Sequence, residues 1–188
     1  MYKRQVESYR RVLELESDSI VALDALIRLH ELQQAWADQV QVLQRRAAIS
    51  EDPDESLQLK KQIGYVQEAN LVDNPAAVET YKDILADEPT DFDSLQALER
   101  LYLGANEVTD YLEILEAQLD ATADVDAQIG IYEKMAQALV TLANDPERAT
   151  EVLEKIVMLD PGRDQTYRQL EDLYGSLEKL SLIHISEP

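Results

Sequence analysis

Leu23-Asp24-Ala25-Leu26-Ile27-Arg28-Leu29-His30 and Leu95-Gln96-Ala97-Leu98-Glu99-Arg100-Leu101-Tyr102 are one segment written twice, at an offset of 72. Apolar residues recur at steps of three and four, as Leu23, Leu26, Leu29 and as Leu95, Leu98, Leu101, Tyr102, which is the buried stripe of an amphipathic helix and not the alternation of a strand. The match runs outward without a gap. Val6-Glu7-Ser8-Tyr9 lies over Val78-Glu79-Thr80-Tyr81, and Val12-Leu13 over Ile84-Leu85. A third, truncated copy places Pro161, Leu170, Leu173 and Tyr174 over Pro89, Leu98, Leu101 and Tyr102. Self-similarity at a fixed period marks a repeat array, with units at about 6–77, 78–149 and 150–179.

Composition agrees. Leu, Ala, Glu, Gln and Asp dominate, and the 188 residues hold only 5 Gly and 6 Pro, so local preference is helical nearly throughout. Asp52-Pro53, Asn74-Pro75 and Asp145-Pro146 each put an N-cap side chain before a proline at the first helical position, where a missing amide costs nothing. Helices are predicted at 6–16, 18–33, 36–50, 54–71, 75–87, 91–104, 107–121, 125–143, 146–159 and 163–176. Links of a few residues make consecutive helices antiparallel, so each unit is two helical hairpins averaging about 36 residues.

Here the residues resemble a known family. Asp145-Pro146-Glu147-Arg148-Ala149 through Leu153, Ile156, Val157 and Leu159-Asp160-Pro161 looks like the second helix of a tetratricopeptide repeat, and Ala77, Tyr81, Ile84, Leu85 and Pro89 repeat it. In that family a small residue late in the first helix meets the alanine of the second, and Gly64 and Ala136 are placed to meet Ala77 and Ala149. The hairpins at 18–50 and 91–121 depart from the pattern, with Gln39 and Tyr111 near the expected alanine. The period departs too, since the family's usual repeat is about 34 residues. The resemblance implies an all-α, right-handed solenoid of about ten antiparallel helices. A different α-hairpin solenoid is the alternative.

The two ends read as foreign. Tyr2-Lys3-Arg4-Gln5 can be encoded TAT AAG AGA CAG after a GTG start, and the reverse complement, CTG TCT CTT ATA CAC, encodes Leu180-Ser181-Leu182-Ile183-His184. One inverted element, similar to a transposon end used in sequencing libraries, thus accounts for residues 1–5 and 180–184, and Ile185-Ser186-Glu187-Pro188 looks like the continuation of an adapter arm. The expectation is a metagenomic fragment whose native part is 6–179, with its compartment undetermined and with self-association through apolar surface at the cut ends.

A net charge of −21 repels phosphate backbones and anionic lipid, so nucleic acid is not an expected partner. No Cys is present, which excludes disulfides and thiolate chemistry. No apolar run approaches the roughly 20 residues of a membrane helix. No glycine loop for phosphate exists, and the acidic clusters at 51–55 and 120–126 lack the glycine and the final glutamate of a calcium loop, so they read as caps. His30 aligns with Tyr102 and Tyr174 and reads as a core-edge ring, and Trp36 as core or interface. Neither catalytic residue, nor cofactor, nor metal is expected.

What the family resemblance implies is a concave groove lined by first helices that receives a peptide or a partner helix. Mapped onto this chain, the groove-facing candidates are Val21, Asp24, Arg28, Asp93, Gln96, Arg100, Gln165, Arg168 and Asp172. Arg28 and Arg100 hold the same place in successive units and offer fork-shaped donors to a carboxylate. The plainer alternative is pairing along the helix, Asp24 with Arg28 and Gln96 with Arg100. A protein-interaction scaffold is therefore the expected function. An architectural spacer or oligomerisation segment, or the repeat appendage of a larger enzyme, are the alternatives.

Overall fold

The computed structural model describes residues 2–186, and among these all regular secondary structure is helical. The order is α1 (Tyr2–Leu15), α2 (Ile20–Leu32), α3 (Trp36–Ala48), α4 (Pro53–Tyr65), a π-helical segment Val66–Leu71, α5 (Asn74–Asp87), α6 (Phe92–Ala105), α7 (Val108–Ala121), α8 (Val125–Thr141), α9 (Pro146–Leu159) and α10 (Asp164–Ser186). Met1, Glu187 and Pro188, parts of the terminal segments set apart above, lie outside the described residues. The ten helices fall where the periodicity places them, with two extensions: α1 begins at Tyr2 and α10 continues to Ser186. The chain forms two compact units, Met1–Ala97 and Leu98–Pro188.

Helix starts follow the cap chemistry with one correction. Asp52 accepts from the Asp54 amide and Asp145 from the Arg148 amide, each with proline at the next position. The cap of α5 is Asp73, not Asn74: Asp73 accepts from Ala76 N at 3.2 Å, and Asn74 is already helical. Proline is tolerated at the second helical position as well as the first, since neither amide has a partner inside the helix. The repeat itself points to Asp73, because its counterpart in the next copy is Asp145.

Four first helices, α2, α4 with its π-helical extension, α6 and α8, end the same way. Gln34, Val72, Asn106 and Asn144 take positive φ of 54°, 55°, 58° and 52°. The following amides reach back over the last turn, Ala35 to the His30 carbonyl and Glu107 to that of Tyr102, Asp73 to that of Gln67 and Asp145 to that of Leu139. These stops also refine the repeat length. From Gln34 through Val72 and Asn106 to Asn144 the numbering advances by 38, 34 and 38, so the average period conceals alternating long and short hairpins.

In the first unit, Ile27, Val40, Leu43, Ile63 and Val66 bury together with Trp36 against them, while Val6, Leu26 and Leu29 form a second cluster under Tyr9 and Leu13. In the second, Leu115, Ile129, Leu139, Leu153 and Ile156 are buried. Burial of this order is worth about 1.5–3 kcal/mol per large side chain. Gly64, Ala77, Ala136 and Ala149 are all buried, as the resemblance implies. The reason for Gly64 is different, however: a Cβ there would stand 2.7 Å from the Tyr81 ring, so the glycine makes room for that ring.

Polar residues bind the hairpins across their interior. In the first unit Arg46 of α3, only 5% exposed, gives Nε to Asp24 of α2 at 3.3 Å and Nη2 to Glu55 of α4. In the second, buried Gln118 of α7 donates to Glu99 of α6 at 2.8 Å, and Lys134 of α8 takes the other oxygen of Glu99 at 2.6 Å. Gln39 and Tyr111, the residues that break the alanine pattern, are buried too. Burial, with Glu99 nearby, raises the Tyr111 pKa.

Candidate functional site

The first helices of the hairpins are α2, α4, α6, α8 and α10, and their outward faces carry the groove candidates. On α2, Val21 and Arg28 are exposed. Asp24 does not pair with Arg28 as the local alternative expects: its carboxylate faces across to Arg46, and Arg28 makes no ion pair among the described residues. On α6, Gln96 and Arg100 are exposed at the matching register, while Asp93 receives Lys61 of α4 at 2.8 Å. On α10, Gln165, Arg168 and Asp172 are all exposed.

The structure brings two of these residues together. A cleft of about 610 Å³ opens between α8 and α10, and Gln165 and Asp172 line its α10 wall with Gln169. Gln137 and Thr141 line the α8 wall. The base is apolar, formed by Ala136, Val140, Leu153 and Leu173. Arg168 is not among the lining residues. An amide side chain both donates and accepts, so walls of Gln over an apolar base suit a peptide main chain with its side chains pointing down.

The α8 side of this cleft is missed by mapping first helices at an offset of 72, which steps from α2 to α6 to α10 and skips α4 and α8. The 54–71 and 125–143 helices begin hairpins as much as the others do, and that pattern points to them. Lys61 and Glu133 are the missed charged groups. Lys61 bonds Asp91 at 2.5 Å, and Glu133 bonds Arg163 at 2.5 Å, which makes the same link with its signs exchanged, since 61 and 133, and 91 and 163, are equivalent positions of the repeat. Burial works against charge on Lys61, but its bonds to Asp91 and Asp93 outweigh that and raise its pKa. Burial likewise opposes charge on Asp91, and Lys61 together with Ser94 holds its pKa below the usual carboxylate range. Asp91 also caps α6 through the Ser94 amide at 3.0 Å.

His30 is a buried ring, as expected from its alignment with tyrosines, with Nδ1 4.0 Å from Asp38 Oδ2 and no hydrogen bond to it. Burial lowers its pKa, Asp38 opposes and Arg10 adds to the lowering. The acidic clusters act as caps: Asp124 accepts from Ala127 N at 2.8 Å, and Glu55 is tied to Ser50 and Arg46. Among the described residues no group of three His, Asp or Glu is placed to hold a metal ion, and no helix is long and apolar enough to cross a membrane.

No family model matches the chain, and no curated protein matches it. Solved structures do match in fold. The crystal structure of MamA protein is 14% identical, with 85% of this chain and 83% of that one covered and a TM-score of 0.51. A MamA 41-end structure from Desulfovibrio magneticus RS-1 is 20% identical over 90% and 92%, with a TM-score of 0.50. YrrB, described as a TPR protein with an unusual peptide-binding site, is 12% identical over 89% and 82%, at 0.51. The fold of this chain is accordingly the all-helical hairpin array of tetratricopeptide-like proteins.

Proposed function

We propose that this chain is a non-catalytic protein-interaction scaffold that binds a peptide in extended form along first helices, α8 and α10 foremost. The observation that carries the reading is the α8–α10 cleft, where exposed Gln137, Gln165 and Gln169 stand over a base of Ala136, Val140 and Leu153. Three amides without charge give adaptable hydrogen bonding to a main chain, while the apolar base rewards side-chain burial. YrrB, which shares this fold and is described as having a peptide-binding site, is consistent with the reading.

The test is selection of peptides from a displayed random library on the full chain, followed by titration against Gln137→Ala/Gln169→Ala. Two lost hydrogen bonds of about 0.5–1.5 kcal/mol each should weaken selected peptides about tenfold. Peptides that bind wild type and variant alike would place recognition elsewhere and remove the cleft from the proposal.

A further inference from the structure

The two 72-residue copies differ at one interior position in a way that bears on the cleft. In the first copy Tyr81 of α5 is 5% exposed, its ring lies against Gly64 of α4, and its hydroxyl donates to Glu68 at 3.4 Å. The copy therefore fills its own interior with an aromatic side chain. In the second copy the positions equivalent to Gly64, Glu68 and Tyr81 are Ala136, Val140 and Leu153. Leucine lacks the reach of a tyrosine, valine offers no acceptor, and these three residues all line the open cleft. What the first copy supplies from within is missing in the second.

We infer that the α8–α10 cleft is a socket for an aromatic side chain of a basic peptide. This inference rests on the peptide-binding reading and specifies the ligand. A flat ring buries a large apolar area for few frozen torsions, which is why aromatic anchors dominate recognition pockets. The charge of the flanking residues follows from the rim. Asp172 lines the cleft and makes no ion pair among the described residues, Glu133 on the opposite wall is shared with Arg163, and no lysine or arginine is among the lining residues. A net charge of −21 adds a long-range attraction for cationic segments.

The probe is the peptide acetyl-Ala-Lys-Tyr-Lys-Ala-amide, titrated into the isotope-labelled full chain and followed by amide chemical shifts. Shifts should centre on Ala136, Val140, Leu153 and Leu173, and replacing the central Tyr by Ala should weaken binding about tenfold. Ala136→Gly/Leu153→Tyr rebuilds the first copy's plug and should abolish the tyrosine preference. Should that variant not fold, Asp172→Lys at the exposed rim serves instead, with a loss of about threefold expected. If Tyr and Ala peptides shift α8 and α10 equally, the socket is wrong and the peptide groove stands. If neither peptide shifts any amide, both are wrong for basic peptides. A plugged variant that still prefers tyrosine also overturns the socket.

Discussion

The polar centre of the first unit and that of the second tie three helices together with opposite chemistry. In the first the middle helix gives a buried cation, Arg46, which is held by Asp24 and Glu55 from either side. In the second the equivalent residue of the repeat is the neutral Gln118, and the charge has moved to Glu99, which Lys134 neutralises. Both units thus carry a polar link across two first helices, and different elements supply the charges in each. The costs of failure differ, though. A guanidinium that is 5% exposed cannot recover water when its partners go, whereas an amide that loses one hydrogen bond loses little.

The largest effect should follow from stripping the cation of its carboxylates. Asp24→Ala/Glu55→Ala leaves Arg46 buried and unpaired, and should lower the stability of the first unit by about 3–5 kcal/mol, whereas Gln118→Ala should cost the second about 1 kcal/mol. Hydrogen exchange reads the units separately, with protection lost in α2–α4 by the first variant and in α6–α8 by the second. Equal losses would erase the contrast between the two centres.

Gly64→Ala comes next. The added methyl would meet the Tyr81 ring at 2.7 Å, an overpacking worth about 1–3 kcal/mol. Adding Tyr81→Leu reproduces the pair Ala136 and Leu153 of the second copy and should recover part of the loss. Denaturant melts of both variants decide it, and no recovery in the double variant would show that the two copies are not interchangeable at this point.

Much of the fold is legible in the sequence alone. The 72-residue period and the apolar stripes locate all ten helices, because burial periodicity survives wherever a helix packs on one face. The caps are legible except at Asp73-Asn74-Pro75, where two capping residues in succession leave local preference undecided and only the repeat resolves them. The cleft is half legible. Gln165 and Asp172 come from register, but Gln137, Val140 and Leu153 need the structure, since a buried leucine at the base of a cleft has the same sequence signature as one anywhere else in the core. The links Arg46–Asp24 and Lys61–Asp91 are invisible for a related reason: partners on different helices leave no local periodic mark.

A smaller effect is expected at the helix stops. Asn144 takes φ 52° at little cost, while Val72, β-branched, holds φ 55° at the corresponding stop of the first copy. Val72→Asn should stabilise the first unit by about 1 kcal/mol, and Asn144→Val should destabilise the second to the same degree. Urea midpoints test both, and opposite signs from these would mean that packing of the Val72 side chain outweighs its backbone.

The least effect at neutral pH, and the most informative below it, belongs to His30, whose counterpart is Tyr102. Burial holds the folded pKa of His30 below its ordinary 6.5, so the unfolded chain takes up the proton first. As pH falls through about 6.5 the unfolded state gains protons that the folded state does not, and stability declines until the folded pKa is reached. His30→Tyr, which copies the second unit, removes the titrating group and should flatten that decline for α2 and α3 while leaving stability at pH 8 nearly unchanged. The comparison is the difference between variant and wild type in urea midpoint at pH 8 and at pH 5. Since Asp38 sits 4.0 Å from Nδ1 and opposes the shift, Asp38→Asn should steepen the decline in wild type and do nothing of the kind in His30→Tyr. A steepening in both backgrounds would assign the pH dependence to Asp38 itself and not to the ring it faces.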